Sequence, residues 1–440
     1  MAALAVVPQQ TQQTGFLPPV PWTLRDTGLQ QSMVEHLIFN TLYSRGELTG
    51  RNVADILGLS FSVIEPLMEE MKVRQFFEVK RSLGYGLISS VFTLSESGRK
   101  RARECFEVNQ YVGPAPVPAV QYMGAVEAQK PQKGWLSRES LSRAYRHMVL
   151  GPRTLSQIGP AVNSGKSLLM YGQPGNGKTY LAEALMELEA SAVYLPHAIE
   201  YNGAIIQFFD PLSHRPVASE DDSDALFSLQ RPYDSRWVRC KRPFIVTGGE
   251  LTLEMLELSY NSVTKIYEAP RHLKANNGMY LIDDFGRQRV TPAEILNRWI
   301  VPMESRVDHL ILPSGGKLSL PFEVFLIFST NLNPEQLGDE AFLRRIQYKM
   351  LVQNPSRDEF VQIFRNFCSS KKLDCNPSIV DNFIERHYTR DGHPFRRCHP
   401  RDVVSHAIDL MEFEGLPHHL DDEVLNRAFE SCFTKFSETQ

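Results

Sequence analysis

The segment Gly172-Gln173-Pro174-Gly175-Asn176-Gly177-Lys178-Thr179 combines residue types and spacing suited to holding phosphate. It follows the apolar run Ser167-Leu168-Leu169-Met170-Tyr171 and opens a stretch of helical pattern from Thr179 to about Glu189. Glycines let backbone N–H groups curl around an anion, and a helix start adds partial positive charge. Lys178 then reaches the terminal phosphates of a nucleotide, and the Thr179 hydroxyl is a ligand for Mg²⁺. Gly172, Pro174, Gly175, Asn176, Gly177 and Tyr180 complete the candidate nucleotide-binding set.

Such a loop serves kinases, GTPases and motors alike, so the residues that accompany it decide the chemistry. Met279-Tyr280-Leu281-Ile282-Asp283-Asp284 reads as an apolar strand ending in two acids. Asp283 is placed to hold Mg²⁺ through water, and Asp284 to polarise an attacking water. The letters Asp284-Phe285-Gly286 and His399-Pro400-Arg401-Asp402 echo kinase motifs, but in the wrong order and without a strand-borne lysine motif. The kinase reading is excluded.

Further along, Val324–Phe328 reads as a buried strand with Ser329-Thr330-Asn331 at its tip, where Asn331 can orient the lytic water. Asp339-Glu340-Ala341-Phe342-Leu343-Arg344-Arg345 is a short helix ending in paired arginines. Arginine suits a phosphate in transition because its charge is permanent and its donors form a fixed fork. Arg396, Arg397 and Arg401 lie in a helical tail, with Pro400 suited to the first position of the helix carrying Arg401.

The elements that must position these residues divide the chain into five segments. Residues 1–25 are rich in Gln and Pro and are expected to be a disordered tail. Residues 26–107 show three helical patterns and then two strand patterns around Arg81-Ser82-Leu83-Gly84-Tyr85-Gly86, a winged-helix-like unit. Pro66 requires the third helix to begin near Ser62. Residues 108–133, Pro- and Ala-rich, are expected to be a linker. Residues 134–355 alternate strands and helices, the pattern of an α/β core with a parallel sheet, and 356–440 read as helices alone. Residues 196–270 are the least readable stretch and hold the acidic run Glu220–Asp224.

At 440 residues the chain has room for two to four domains at roughly 100–200 residues each. Its 47 basic and 51 acidic residues give a net charge of −4, so no global positive field draws it to nucleic acid or an anionic surface. Six scattered cysteines form no C-x-x-C pair and read as reduced thiols of a cytoplasmic protein. The first residues lack the basic start of a leader peptide, and no apolar run reaches the roughly 20 residues of a membrane span.

Taken together, residues of about 135–435 resemble the AAA+ ATPase family. GQPGNGKT is similar to its Walker A, YLIDD to Walker B, STN to sensor 1, DEAFLRR to the arginine-finger helix and HPRD to sensor 2. His309–Phe322, turning at Gly315-Gly316, looks like the pre-sensor-1 hairpin of MoxR-type and helicase-type members. The family's Walker B glutamate is Asp284 here, and two adjacent arginines compete for the finger.

The resemblance implies an α/β P-loop core with a C-terminal helical lid, and ATP and Mg²⁺ as cofactors. It also implies a homo-oligomeric ring, a hexamer, with pore-lining candidates at Tyr260 or Tyr267. Roles follow residue by residue: Lys178 and Thr179 on phosphate and metal, Asp283 on metal, and Asp284 with Asn331 on water. Arg344 or Arg345 reaches a neighbour's site, and Arg401 reaches the γ-phosphate. The implied activity is ATP hydrolysis that remodels a partner. Residues 25–110 carry 11 basic and 11 acidic side chains, a balance that favours a protein client over DNA. Two alternatives stand beside this: a DNA-acting helicase-like or loader ATPase using the winged helix, and an ATP-dependent assembly switch with weak hydrolysis.

Overall fold

The computed structural model describes residues 15–132, 134–188, 191–217, 232–312, 315–338, 340–374 and 376–433. Residues 1–14 of the expected tail and the acidic run Glu220–Asp224 lie outside them. The remainder of that tail is seated rather than loose, because Phe16 packs edge-on against Tyr194 and Trp237 at 6.4 and 6.2 Å. The Pro18 carbonyl also accepts from the Asp234 amide at 3.1 Å.

Two compact units form: Met1–Gln132 with Ala190–Tyr280 and Arg289–Phe325, and Lys133–Glu189 with Leu281–Gln288 and Leu326–Gln440. In the first, helices Gln31–Arg45, Gly50–Leu57 and Phe61–Val73 pack with a three-stranded antiparallel sheet of Leu48–Thr49, Ser90–Leu94 and Phe77–Ser82. Thr49 and Asn52 form a capping box, and Gly58 closes the second helix in the left-handed conformation. The third helix starts one residue before the expected Ser62, so Pro66 sits beyond its first turn and has no N–H to give the Ser62 carbonyl four residues back. Ile38, Phe39, Leu57, Ile64, Met68 and Phe92 fill the core.

The unit does not stop at residue 107. Ala198, Ile205 and Ile266, from strands Ala198–Tyr201, Ala204–Gln207 and Ile266–Glu268, pack into the same core. The expected linker is also structured: Val117–Pro118 pairs with Ala198–Tyr201, and Ala119–Ala128 is a helix burying Tyr122, Ala125 and Val126. Alanine and valine bury one face there, and Pro118 stands at the N-cap position without a side-chain cap. Tyr260 and Tyr267 sit opposite each other on a pair of short antiparallel strands rather than on a helix, with Tyr267 buried and Tyr260 exposed. Val307–Ile311 and Lys317–Pro321 form the expected antiparallel hairpin.

The α/β core is built on one sheet. The five-stranded parallel sheet runs in the order Phe244–Thr247, Met279–Ile282, Phe325–Thr330, Ser167–Tyr171, Tyr348–Leu351. Leu168, Leu169, Ile327 and Phe328 are nearly water-free, as strands covered on both faces require. Helices Arg357–Ser370, Pro377–Ile384, His399–Glu414 and Asp422–Cys432 follow, around Phe360, Phe364, Phe383, Val404 and Leu425. This is an α/β P-loop core followed by a helical region, the expected fold class. Among the described residues no helix is long and apolar enough to cross a membrane.

Candidate active site

The loop Gly172–Gly177 leaves the strand Ser167–Tyr171, which pairs in parallel with Phe325–Thr330 and with Tyr348–Leu351. Gly172 has φ +143°, and a Cβ there would lie 2.5 Å from the Val352 carbonyl oxygen. Gly175, at φ +79°, would bring a Cβ to 2.7 Å from Cys398 Sγ. Side chains are thus excluded on steric and conformational grounds together. The following helix begins at Lys178, ends at Glu183 and tightens into a 3₁₀ turn at Ala184–Glu187, shorter than the expected run to Glu189.

Lys178 is buried, and its ammonium donates to the carbonyls of Gly172 at 2.9 Å and Gln173 at 3.0 Å and to Asn331 Oδ1 at 2.7 Å. Burial pushes its pKa down, while the charges of Asp283 and Asp284 oppose that shift. Thr179 Oγ1 donates to Asp283, with the two carboxylate oxygens at 2.9 and 3.1 Å. Asn331 Nδ2 donates to Asp284 Oδ1 at 3.1 Å, so one amide joins the loop lysine to the second acid.

Asp284 is held at φ +48°, a left-handed conformation that is uncommon for a residue with a Cβ. Asn176 is fully buried and donates through Nδ2 to Asn354 Oδ1 at 2.7 Å, while its own Oδ1 has no hydrogen-bond partner among the described residues.

A cavity of about 840 Å³ opens over the loop. The loop from Pro174 to Tyr180 lines it with Asp283, Asp284, Asn331 and Arg401, which gathers most of the predicted residues into one site. His147, Met148, Val149, Ile363 and Phe367 also line it. Sequence reading missed these five, since none belongs to a motif. The His147 ring meets the Tyr180 ring edge-on at 5.4 Å.

The arginines divide. Arg401 borders the cavity with an exposed side chain, and its Nε donates to its own neighbour Asp402 at 2.9 Å. Arg397, half-buried at the cavity wall, is held by Glu359 at 2.8 Å and by the Val149 carbonyl. Burial pushes its guanidinium pKa down against the Glu359 charge. Arg396 reaches over the loop to the Pro174 carbonyl at 3.2 Å and Gln173 Oε1 at 3.4 Å, and the Cys398 amide donates to the Gly175 carbonyl at 2.9 Å. Arg344 and Arg345 follow the helix Glu340–Leu343 and do not line this cavity.

The donors grouped at Thr179 and Asp283 are a hydroxyl and a carboxylate, hard oxygens suited to Mg²⁺. The loop, stripped of side chains where it bends, has the form of a phosphate cradle.

Among solved structures the chain is similar to NtrX from Brucella abortus, at 12% identity and a TM-score of 0.38, over 62% of this chain and 54% of that one. It is similar to a P216G mutant of Thermotoga maritima RuvB, at 12% identity and a TM-score of 0.34, over 69% of this chain and 73% of that one. Domain III of the Thermotoga maritima replication initiation protein DnaA matches at 14% identity and a TM-score of 0.35, over 66% of this chain and 96% of that one. No curated protein matches the chain by sequence. Residues 356–431 match a domain of unknown function, DUF8689, and this helical segment is the one that carries Arg396, Arg397 and Arg401.

Proposed function

We propose that the chain is an AAA+ ATPase that hydrolyses Mg²⁺-ATP and uses the energy to remodel a protein partner. The observation that carries this is Asn331, whose amide joins Lys178 at 2.7 Å to Asp284 at 3.1 Å, beside the Thr179–Asp283 pair. Phosphate binding, metal binding and water activation thereby share one cavity. Lys178 binds the β/γ-phosphates, the glycine loop wraps them, and Asp284 with Asn331 orients the attacking water and accepts its proton. Thr179 and Asp283 would hold Mg²⁺, which neutralises phosphate charge when bound.

Arg344 or Arg345 completes a neighbour's site in a hexameric ring, and Arg401 approaches the γ-phosphate from the lid. The hairpin Val307–Pro321 supports the MoxR-type reading. We assign the adaptor role to the winged-helix-like elements of 26–107, whose core also takes in Ala198, Ile205 and Ile266, the ATPase role to the motifs within 134–355 and the lid role to 356–440.

For the client, the hairpin Phe77–Leu94 is informative. Leu83 and Tyr85 at its turn are exposed, which suits a protein partner better than a phosphate backbone. The basic clusters here are Lys80-Arg81 and Arg99-Lys100-Arg101-Ala102-Arg103, and an acid offsets part of each: Lys80 pairs with Glu78 at 3.4 Å and Arg101 with Glu104 at 2.7 Å. A DNA-acting enzyme would instead show salt-sensitive duplex binding lost on neutralising Lys80, Arg81 and the 99–103 run.

The test is steady-state phosphate release with and without Mg²⁺. Lys178→Ala should lose nucleotide binding, and Asp284→Asn should bind ATP without turning it over. Full turnover by either variant would refute the assignment. Capture of clients on Asp284→Asn in Mg²⁺-ATP then identifies the partner.

A further inference from the structure

Asp284 is the acid on which the proposed hydrolysis depends, yet it stands at φ +48° on a turn where only Gly286, at φ +99°, is a glycine. A non-glycine residue stays in that region only when its surroundings over-determine it. The surroundings here are specific. Gln288 Nε2 donates to the Asp283 carbonyl at 2.9 Å and to the Asp284 carbonyl at 3.2 Å, and Gln288 Oε1 accepts from the Gly286 amide at 2.8 Å. One side-chain amide therefore satisfies three backbone groups of the turn.

The far side of the turn is fixed to the strand that carries Asn331. The Phe285 amide donates to the Ser329 carbonyl at 2.7 Å, and Thr330 Oγ1 donates to the Phe285 carbonyl at 2.6 Å. The Phe285 ring is fully buried against Phe328 at 4.9 Å. The backbone bearing Asp284 is thus held from both sides, and its carboxylate meets Asn331 Nδ2 at 3.1 Å as a result.

We propose that Gln288 is a positioning residue for hydrolysis, an inference that rests on the ATPase reading above. Its amide locks the 283–286 turn so that the short Asp284 side chain reaches the water held by Asn331. Aspartate is one methylene shorter than glutamate, so its reach depends on the backbone beneath it. The clamp places that backbone without touching nucleotide or water. Misplacing a reacting group by about 1 Å costs about 100-fold in rate.

The experiment compares Gln288→Leu, which removes all three bonds, with Gln288→Glu, which keeps the shape but cannot donate to the two carbonyls. In both, kcat should fall about 10- to 100-fold. ATP affinity, measured by equilibrium titration, should move less than about threefold, since the interaction matters only in the transition state. In an Asp284→Asn background, adding Gln288→Leu should lower the residual rate less than about twofold, as expected for residues acting through one group.

Loss of ATP binding in step with turnover in both variants would overturn the proposal, because Gln288 would then merely support the fold. Normal kcat in both would overturn it as well. Asp284→Asn measured alone separates this from the reading beneath it. If that variant turns over normally, the role of Asp284 falls. If it is inactive while the Gln288 variants are unimpaired, only the role of Gln288 falls.

Discussion

The Lys178 ammonium donates to Asn331 Oδ1 at 2.7 Å across 153 residues of sequence, while the other end of the same amide holds Asp284. The amide's carbonyl faces the cation and its N–H₂ faces the acid, so its orientation is set by charge at both ends. Asn331→Ala should retain ATP binding through the loop and Lys178, but lower kcat by about 100-fold, the scale for losing one preorganised polar group. Single-turnover hydrolysis beside equilibrium binding checks this, and parallel losses in the two would contradict it.

Thr179 and Asp283 form a second pair, and their effect should appear in metal dependence rather than in nucleotide affinity without metal. Asp283→Asn keeps the shape and removes the charge. The Mg²⁺ concentration for half-maximal turnover should rise at least about tenfold, the usual scale for disturbing a metal's immediate surroundings. A Mg²⁺ titration at saturating ATP measures it. An unchanged midpoint would show that the pair does not hold the metal.

How much of this was legible depends on whether a residue's role is written in its neighbours along the chain. Gly172–Thr179 and Asp283-Asp284 were readable because a strand delivers them in contiguous order. The four helices after Ser356 were readable from their apolar spacing. His147, Ile363, Phe367 and Gln288 were not, because they converge on the site only through folding and have no local pattern. Residues 119–128 were misread because the prolines just before them outweighed an ordinary helical run of Ala, Val and Tyr. The stretch 196–270 resisted reading because its described strands are three or four residues long, too short for alternation to declare itself.

Arg344 and Arg345 do not line the cavity of their own chain, and both lie where the chain turns from Glu340–Leu343 into the strand Tyr348–Leu351. If one acts on a neighbour, its replacement by Ala should cost about 10³-fold or more in turnover. Mixing that variant with Lys178→Ala protein should restore measurable activity, because each supplies what the other lacks. Specific activity of the unmodified chain should also rise with protein concentration. Failure of complementation for both arginines would remove them from catalysis.

The last prediction concerns stability in the first unit. Asp308 is fully buried, with Oδ2 2.6 Å from His272 Nε2 and Oδ1 2.7 Å from Arg298 Nη1, and Arg298 is also held by Glu257. Burial alone would raise the Asp308 pKa, but His272 and Arg298 together outweigh it and hold the carboxyl at about 2. A carboxylate whose folded pKa lies below its unfolded value, ordinarily about 3.9, stabilises the fold above that value. The contribution is lost as pH falls from about 4 toward about 2. Removing one partner of a buried ionic pair costs about 3–5 kcal/mol, so Asp308→Ala should lower stability by that amount at pH 7. The gap between the unmodified chain and the variant in urea unfolding should narrow as pH is lowered from 5 to about 3. A gap constant over that range would show that the Asp308 charge contributes nothing to holding the helix Pro292–Ser305 against the strand Val307–Ile311.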